Sequence, residues 1–433
     1  MNLLDVNDTE GAYPPSFYAA GADPLADCAP VRGDVQCDVC VVGGGFTGLS
    51  SALHLAQRGY SVRLVEAQRI GFGASGRNGG QVGQGQRLDQ DELEAMFGVS
   101  RAKEMWRIGT EAVEIIRDLA QSELVRAEFH PGIVHADHKP RFAAHSRAYA
   151  DKMNADYDYS DIRYLGREEM RSVVNSSAYF GGTLDTRSGH IDPLQLALGL
   201  GRMAQAAGAQ LHESSRVQRV EPGPTPVVVT EDARISADHV ILACNGYIGD
   251  LHGDVTRRVM PINNYIIATE RLDPAAQEEL IAGNVAVADS KFVVNYFRFS
   301  DDNRLLFGGT ESYGYRFPAD IGVQVRKPLA EIFPSLKDVR IDYAWGGTLG
   351  ITMNRLPHYA RYGGTILSMS GFSGQGVALG TLSGQIAAEA IAGQAERFDV
   401  MARIPTPRFP GGSRLRHPLL ILAMLWYSLR DKL

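Results

Sequence analysis

The chain has 433 residues, 44% hydrophobic and 21% charged, with a net charge of −7 and a mean hydropathy of −0.15. That length exceeds one ordinary core, and at about 150 residues per domain it suggests two or three. The mildly acidic balance argues against nucleic acid as a partner. With no apolar run of about 18 residues, no membrane-spanning helix is expected.

Residues 1–33, rich in Pro, Asp and Ala, read as an extended leader. They lack the basic and apolar regions of a secretion signal, so a cytoplasmic location is expected. Cys37 and Cys40 form a C-x-x-C, the spacing of redox and zinc motifs. They lie in QCDVCVVGGG, which reads as a buried strand, and no second pair completes a zinc site. Small apolar cysteines are the preferred reading, with no metal, no disulfide and a reducing compartment.

A strand is predicted at 38–42, a turn at 43–48 and a helix at 47–58, with Leu49, Ala52, Leu53 and Ala56 on one face. Gly59 caps that helix, and a second strand covers 61–66. A glycine-rich loop fills 71–85, and 89–125 looks helical. After a mixed region to about 180, Asp192 and Pro193 open a helix to Ala207. Strands follow at 210–213 and 215–221, with a hairpin and apolar strand at 227–246. Residues 251–345 read mostly as strands, with a hairpin turn at 300–303. A strand at 365–370 leads into GFSGQG and another helix, and the tail from 397 ends in an apolar segment.

Gly43, Gly45 and Gly48 make a G-x-G-x-x-G that follows a buried strand and opens a helix, and Glu66 ends the next strand. This is the full dinucleotide-binding context. Gly43 permits the tight turn, Gly45 the approach of a pyrophosphate, and Gly48 close packing of helix on strand. The helix N-terminus offers N–H groups and partial positive charge to phosphate. Glu66 would accept hydrogen bonds from ribose hydroxyls and disfavours a 2′-phosphate. Spacing does not separate NAD from FAD, but two further segments favour FAD. The loop from Gly73 to Gln81 suits a phosphate and a flavin edge. Gly371–Gly376 joins a second strand to a helix whose start would stabilise negative charge on reduced flavin.

These pieces resemble the D-amino-acid oxidase superfamily, the glycine/sarcosine oxidase type of FAD enzymes. VVGGGFTGLSSALHLAQRGYSVRLVEA, GASGRNGGQ, GHIDPLQLALGL, VILACNGY and GFSGQGVALGTLSGQIAAEAI occur in order along the chain. NYFRFSDDNRLLFGGTESYG, WGGTLGITMNRLPHYAR and the C-terminal ending are similar to the gamma-glutamylputrescine oxidase branch. The resemblance implies an α/β plus α+β fold: a Rossmann-type FAD-binding domain and a second, largely antiparallel β-sheet substrate domain. The expected division is 34–90, 181–250 and 346–396 for FAD, 91–180 and 251–345 for substrate, and 397–433 as a tail. By position, the resemblance assigns Gly43, Gly45, Phe46, Thr47, Gly48, Glu66 and Ala67 to the adenosine diphosphate. Ser75, Arg77, Asn78, Gly79, Gly80 and Gln81 would line the flavin. Val217 would hold the adenine side, Asn245 and Gly246 would close over the pyrophosphate, and Gly371, Ser373, Gly374, Gln375 and Gly376 would meet the pyrimidine.

Departures bear on the substrate. Where several relatives keep a Gly-Leu-Arg-Pro segment whose arginine clamps a carboxylate, this chain has Gly347-Thr348-Leu349-Gly350. That favours an amine whose charged group lies elsewhere over a simple α-amino acid. Residues 343–360 have no cysteine, so FAD is expected to be non-covalent, and Leu306 stands where an oxygen-activating lysine occurs. Flavin oxidation of an amine transfers a hydride to N5 and needs docking and exclusion of water rather than a strong acid or base. No catalytic residue is therefore assigned. Pocket candidates are Tyr265, Tyr296, Arg298, Trp345 and His358. Each has a structural alternative: core aromatic, salt bridge or satisfied loop histidine.

The expected reaction is oxidation of gamma-glutamylputrescine or a related amine in polyamine breakdown, giving an imine, then aldehyde and ammonia, with O2 or another acceptor. An amino-acid or secondary-amine dehydrogenase feeding a quinone, and a flavoprotein acting mainly in assembly, are the alternatives. The apolar segment LLILAMLWYSL, flanked by Arg416, His417, Arg430 and Lys432, could touch a membrane surface, the protein itself or a partner.

Overall fold

The computed structural model describes residues 3–312, 314–411, 418 and 421. The expected C-terminal apolar helix lies outside the described residues. No described helix is long and apolar enough to cross a membrane.

Two sheets organise the chain. The first has eight strands, with main order His358–Tyr362, Ile366–Ser370, Ala233–Leu242, Gly33–Val42, Val62–Val65 and Gln210–His212. Its centre is parallel, with Val39–Val42 flanked by Val62–Val65 and His239–Leu242. These strands are apolar because both faces are covered: helices Phe46–Gln57 and Ala378–Ile391 pack on one, and Val217, Val228, Ile248 and Val255 close the other. Gly33–Val42 starts five residues before the predicted strand: Asp34 and Gln36 are polar, yet their backbones continue the ladder with Arg234 and Ser236. Only Arg219–Glu221 of the predicted strand at 215–221 is extended in a ladder.

Helices Phe46–Gln57 and Ala378–Ile391 pack through small residues. A Cβ on Gly384 would lie 2.5 Å from Ser50 Cβ, and Thr47 Oγ1 donates to Gly380 O at 2.8 Å. That close contact brings two glycine-rich segments, far apart in sequence, to one end of the parallel strands.

The second sheet has nine strands, running from Ile341–Ile351 through Met260–Arg271, Arg304–Ser312, Tyr296–Phe299, Ala286–Asp289, His130–Ala136 and Gly182–His190 to Gln81–Val82; Ile162–Leu165 branches off Gly182–His190. All its pairs are antiparallel except Ala286–Asp289 with His130–Ala136. Strand alternation divides its side chains. Ile266, Ala268, Leu306 and Trp345 join the core shared with the first sheet's helices. Tyr265, Ile267, Phe297, Phe299, Leu305 and Phe307 fill a separate core closed by Val325, Leu329 and Ile332 of helix Ile321–Ile332. The mostly-strand expectation for 251–345 is thus interrupted by three helices, Gly253–Thr256, Pro274–Leu280 and Ile321–Ile332.

The N-terminal segment is neither wholly extended nor detached. It carries helix Phe17–Ala20, capped by Ser16, and Tyr18 is buried against Trp345 at 5.4 Å between ring centroids.

Candidate active site

Gly43, at φ 112°, turns the chain off the central strand; a Cβ there would lie 2.8 Å from Ala243 O. Gly45 opens the helix Phe46–Gln57 without a side-chain cap, which leaves its N-terminal dipole exposed to an anion. Ser75 Oγ accepts from Phe46 N at 3.0 Å and joins the expected flavin loop to that helix start. Glu66 accepts from Gly44 N at 2.6 Å and Gln68 N at 2.9 Å. Burial raises its pKa, opposed by the main-chain N–H groups of Gly44, Gln68 and Ala67. Its carboxylate has lone pairs left for ribose hydroxyls. Ser215 N donates to Glu66 O at 2.8 Å, which places buried Val217 just beyond this acid.

The loop after Glu66 is held by its own side chains. Asn78 donates to the carbonyls of Ala74 and Ser75 and accepts from Gly80 N at 2.7 Å. Gln81 donates to Val287 O of the second sheet. Gly79 and Gly80 admit close neighbours: a Cβ would lie 2.7 Å from the Tyr296 ring at the first and 2.0 Å from Ile191 O at the second. Arg77 is 2% exposed, donates to Phe72 O, Gly346 O and Asp8, and retains one buried Nη2 without a partner among the described residues.

The C-terminal segment closes on the same region. Asn245 Oδ1 accepts from Gly371 N at 2.8 Å, and a Cβ on Gly246 would lie 3.1 Å from Gly350 N. Ser373 N donates to Gly350 O, and Gln375 Nε2 donates to Gln86 O at 3.3 Å. Gly374 at φ 105° and Gly376 complete the turn before helix Ala378–Ile391. A helix start with glycine as its N-cap, an acceptor acid at the second strand and glycines where side chains would collide fit a bound dinucleotide. Thr47 is the exception: its hydroxyl is committed to Gly380 in the helix–helix contact.

The pocket candidates separate. Tyr296 and Arg298 share one strand face and both meet Gly79: the ring stacks over it and Arg298 Nε donates to its carbonyl at 2.7 Å. Tyr296 also donates to Asn264 Oδ1 at 2.5 Å. Arg298 makes three further bonds, to Phe299 O, Ile191 O and the Tyr18 hydroxyl. A guanidinium so engaged fixes the loop; it is not available to clamp a carboxylate. Trp345 is buried and donates to Arg77 O at 3.0 Å, which again supports the loop. Tyr265, expected on the pocket wall, packs on the opposite face beside Phe317, because alternation sends it into the second core.

His358, also expected near the pocket, lies on the first sheet's edge strand and bonds Tyr362 at 3.3 Å. Burial and then Arg258 lower its pKa to about 4. Below about pH 6.5 the unfolded chain takes up a proton there that the folded chain refuses until about pH 4. Stability at this site therefore falls as pH drops through that window. We expect the urea midpoint of His358→Gln to decline less between pH 6.5 and 4 than that of the parent; parallel profiles would contradict this.

Spacing gave no sign of four residues that the fold brings to this region. Asp8 reaches Arg77 from the leader, and Asn264 holds Tyr296. Glu311 is set opposite Asn264 by a bulge at Thr310, a β-branched residue at φ 64°. Arg87 stands beside Gly374, its Nε 4.0 Å from where a Cβ would be.

Comparison with known proteins agrees with this geometry. The family model described as DAO, FAD dependent oxidoreductase, matches residues 38–390. A probable oxidoreductase OrdL of Rhizobium meliloti is 41% identical over 96% of this chain and 97% of its own. The gamma-glutamylputrescine oxidoreductase of Escherichia coli is 39% identical over 96% of this chain and 98% of its own. The crystal structure of glycine oxidase from Geobacillus kaustophilus superposes with a TM-score of 0.71 at 20% identity, covering 83% of this chain and 95% of that one.

Proposed function

This chain belongs to the DAO family of FAD-dependent oxidoreductases, and from that premise we propose that it oxidises a primary amine whose carboxylate lies far from the reacting carbon, with gamma-glutamylputrescine as the leading substrate. The observation that carries this reading is the commitment of Arg298. It is the cation of the second sheet that meets the expected flavin loop, and its donors go to Gly79, Ile191, Phe299 and Tyr18. Gly347–Gly350 holds no arginine and Arg298 is committed elsewhere, so neither supplies a clamp for an α-carboxylate beside the reacting C–N bond. The 39%-identical Escherichia coli relative, named for gamma-glutamylputrescine, supports the same class.

FAD, when bound, supplies the two-electron acceptor for oxidation of the C–N bond. Gly43, Gly45, Gly48 and Glu66 hold its adenosine diphosphate, with Val217, Asn245 and Gly246 around it. The segments Ser75–Gln81 and Gly371–Gly376 hold the flavin. Tyr296, fixed by Asn264 and stacked on Gly79, forms a wall that orients the amine and excludes water. The imine leaves as aldehyde and ammonia after hydrolysis. We also propose the division of labour expected from the sequence: 34–90, 181–250 and 346–396 chiefly serving FAD, 91–180 and 251–345 the substrate.

Anaerobic mixing of the yellow protein with a panel of amines tests this. We expect gamma-glutamylputrescine to bleach the flavin band faster than sarcosine or α-amino acids, and admission of air to show whether O2 is the acceptor. Bleaching only by amino acids or secondary amines would remove the substrate assignment.

A further inference from the structure

Arg87 has no role in the fold that its contacts reveal. It lies in the loop between Gln81–Val82 and helix Gln90–Phe97, and its guanidinium makes no hydrogen bond or ion pair with any described residue. Its side chain is solvent-accessible, yet protein surrounds it so closely that lost hydration, followed by repulsion from Arg355, lowers its pKa. Arg87 borders the site already described: its Nε is 4.0 Å from the Cβ position of Gly374, and the neighbouring Gln86 accepts from Gln375.

The facing charges set the ligand. Arg87 feels Arg355 as a second cation and Glu311, Asp89 and Glu92 as acids. Glu311 leaves its strand on the same face as Asn264, the partner of Tyr296, because the bulge at Thr310 places the two opposite each other. Thr310 Oγ1, beside it, is buried with no hydrogen-bond partner among the described residues. The strained turn at Thr310 thus directs an acid toward the tyrosine wall.

We propose that Arg87 is the anchor for the substrate's remote carboxylate, held as a charge-assisted, two-pronged contact, and that Glu311 faces the ammonium of the same amino-acid head. This deepens, and rests on, the reading of the substrate as an amine with a distant carboxylate. It makes Arg87 a specificity-determining residue: it sets which amines dock, while Tyr296 and the flavin loop set what happens to them. The planar fork of arginine matches a carboxylate as lysine does not.

The test uses the FAD-loaded full chain and its R87Q and R87K variants. For gamma-glutamylputrescine, we expect R87Q to raise KM about 10- to 100-fold, the scale of losing hydrogen bonds to a charged group, with kcat nearly unchanged; R87K recovers part of it. For an N-acetylated diamine without a carboxylate, KM should stay the same. A readout without turnover is titration with glutarate, a dicarboxylate lacking the amine: it should perturb the parent's flavin spectrum and not that of R87Q. If gamma-glutamylputrescine fails to reduce the parent, the substrate assignment falls, and glutarate still decides the role of Arg87. Glutarate that leaves the parent unperturbed, or perturbs R87Q equally, overturns the proposal. So does an R87Q effect that is the same for all amines and is accompanied by a shifted flavin reduction potential, since Arg87 would then act on the flavin.

Discussion

Replacing Gly48 with alanine is expected to give a chain that purifies without its flavin. A Cβ at this position would sit 1.9 Å from Gly43 O, 3.1 Å from Gly43 C and 3.3 Å from Val41 Cγ1. The first two contacts are with backbone, so no side-chain rotation relieves them. Helix Phe46–Gln57 would have to withdraw from the strand, but its other side is pinned, since Gly384 already brings helix Ala378–Ile391 within contact of Ser50 and Ser51. Overpacking of this kind costs about 1–3 kcal/mol where neighbours can yield, and here both neighbours are fixed. The displacement acts on the helix start proposed to receive the diphosphate, so cofactor affinity should fall by at least about tenfold, the equivalent of 1.4 kcal/mol. The ratio of flavin to protein absorbance after gel filtration measures it. Gly253→Ala is the control, because a Cβ there meets nothing within 4 Å. A Gly48→Ala protein with full FAD content would show that the turn has room the structure does not provide.

Asp8→Ala is expected to destabilise the enzyme by about 3–5 kcal/mol, the range for removing one partner of a buried ion pair. The Arg77 and Asp8 side chains are 1% and 7% exposed and lie 3.0 Å apart. Without the carboxylate, Arg77 keeps two carbonyl partners and a face of Phe72, but its charge is uncompensated. The loss is not confined to Arg77. Asn7, the preceding residue, exchanges hydrogen bonds with Tyr315 O and Phe317 N, so the leader straps the Arg77 loop to the second sheet. The urea midpoint of the FAD-loaded protein should fall, and FAD should be released earlier in the same titration. Because the pair is buried, the difference between parent and variant should change little with added salt. An unchanged midpoint would show that Arg77 is neutralised by something other than Asp8.

The sequence by itself determined the family and the cofactor, and marked the segments proposed to hold it. Gly43–Gly48, Glu66 and Gly371–Gly376 are local signals: each states a requirement of a turn, a helix start or a close backbone approach that a few adjacent residues impose. The two-sheet α/β plus α+β architecture was implied by the family resemblance that those motifs carry.

Tertiary structure decided what surrounds each candidate pocket residue. Tyr265 and Tyr296 look alike as aromatic residues on predicted strands, but alternation sends one into the second core and the other over Gly79. Arg298 and Arg87 look alike as cations, but four partners occupy the first, while among the described residues no hydrogen bond or ion pair occupies the second. Asp8 meets Arg77, and Glu311 faces Asn264, only after the chain has folded back on itself. A charge becomes an anchor or a strut according to what lies within a few ångströms of it, and for these residues those neighbours come from distant parts of the chain.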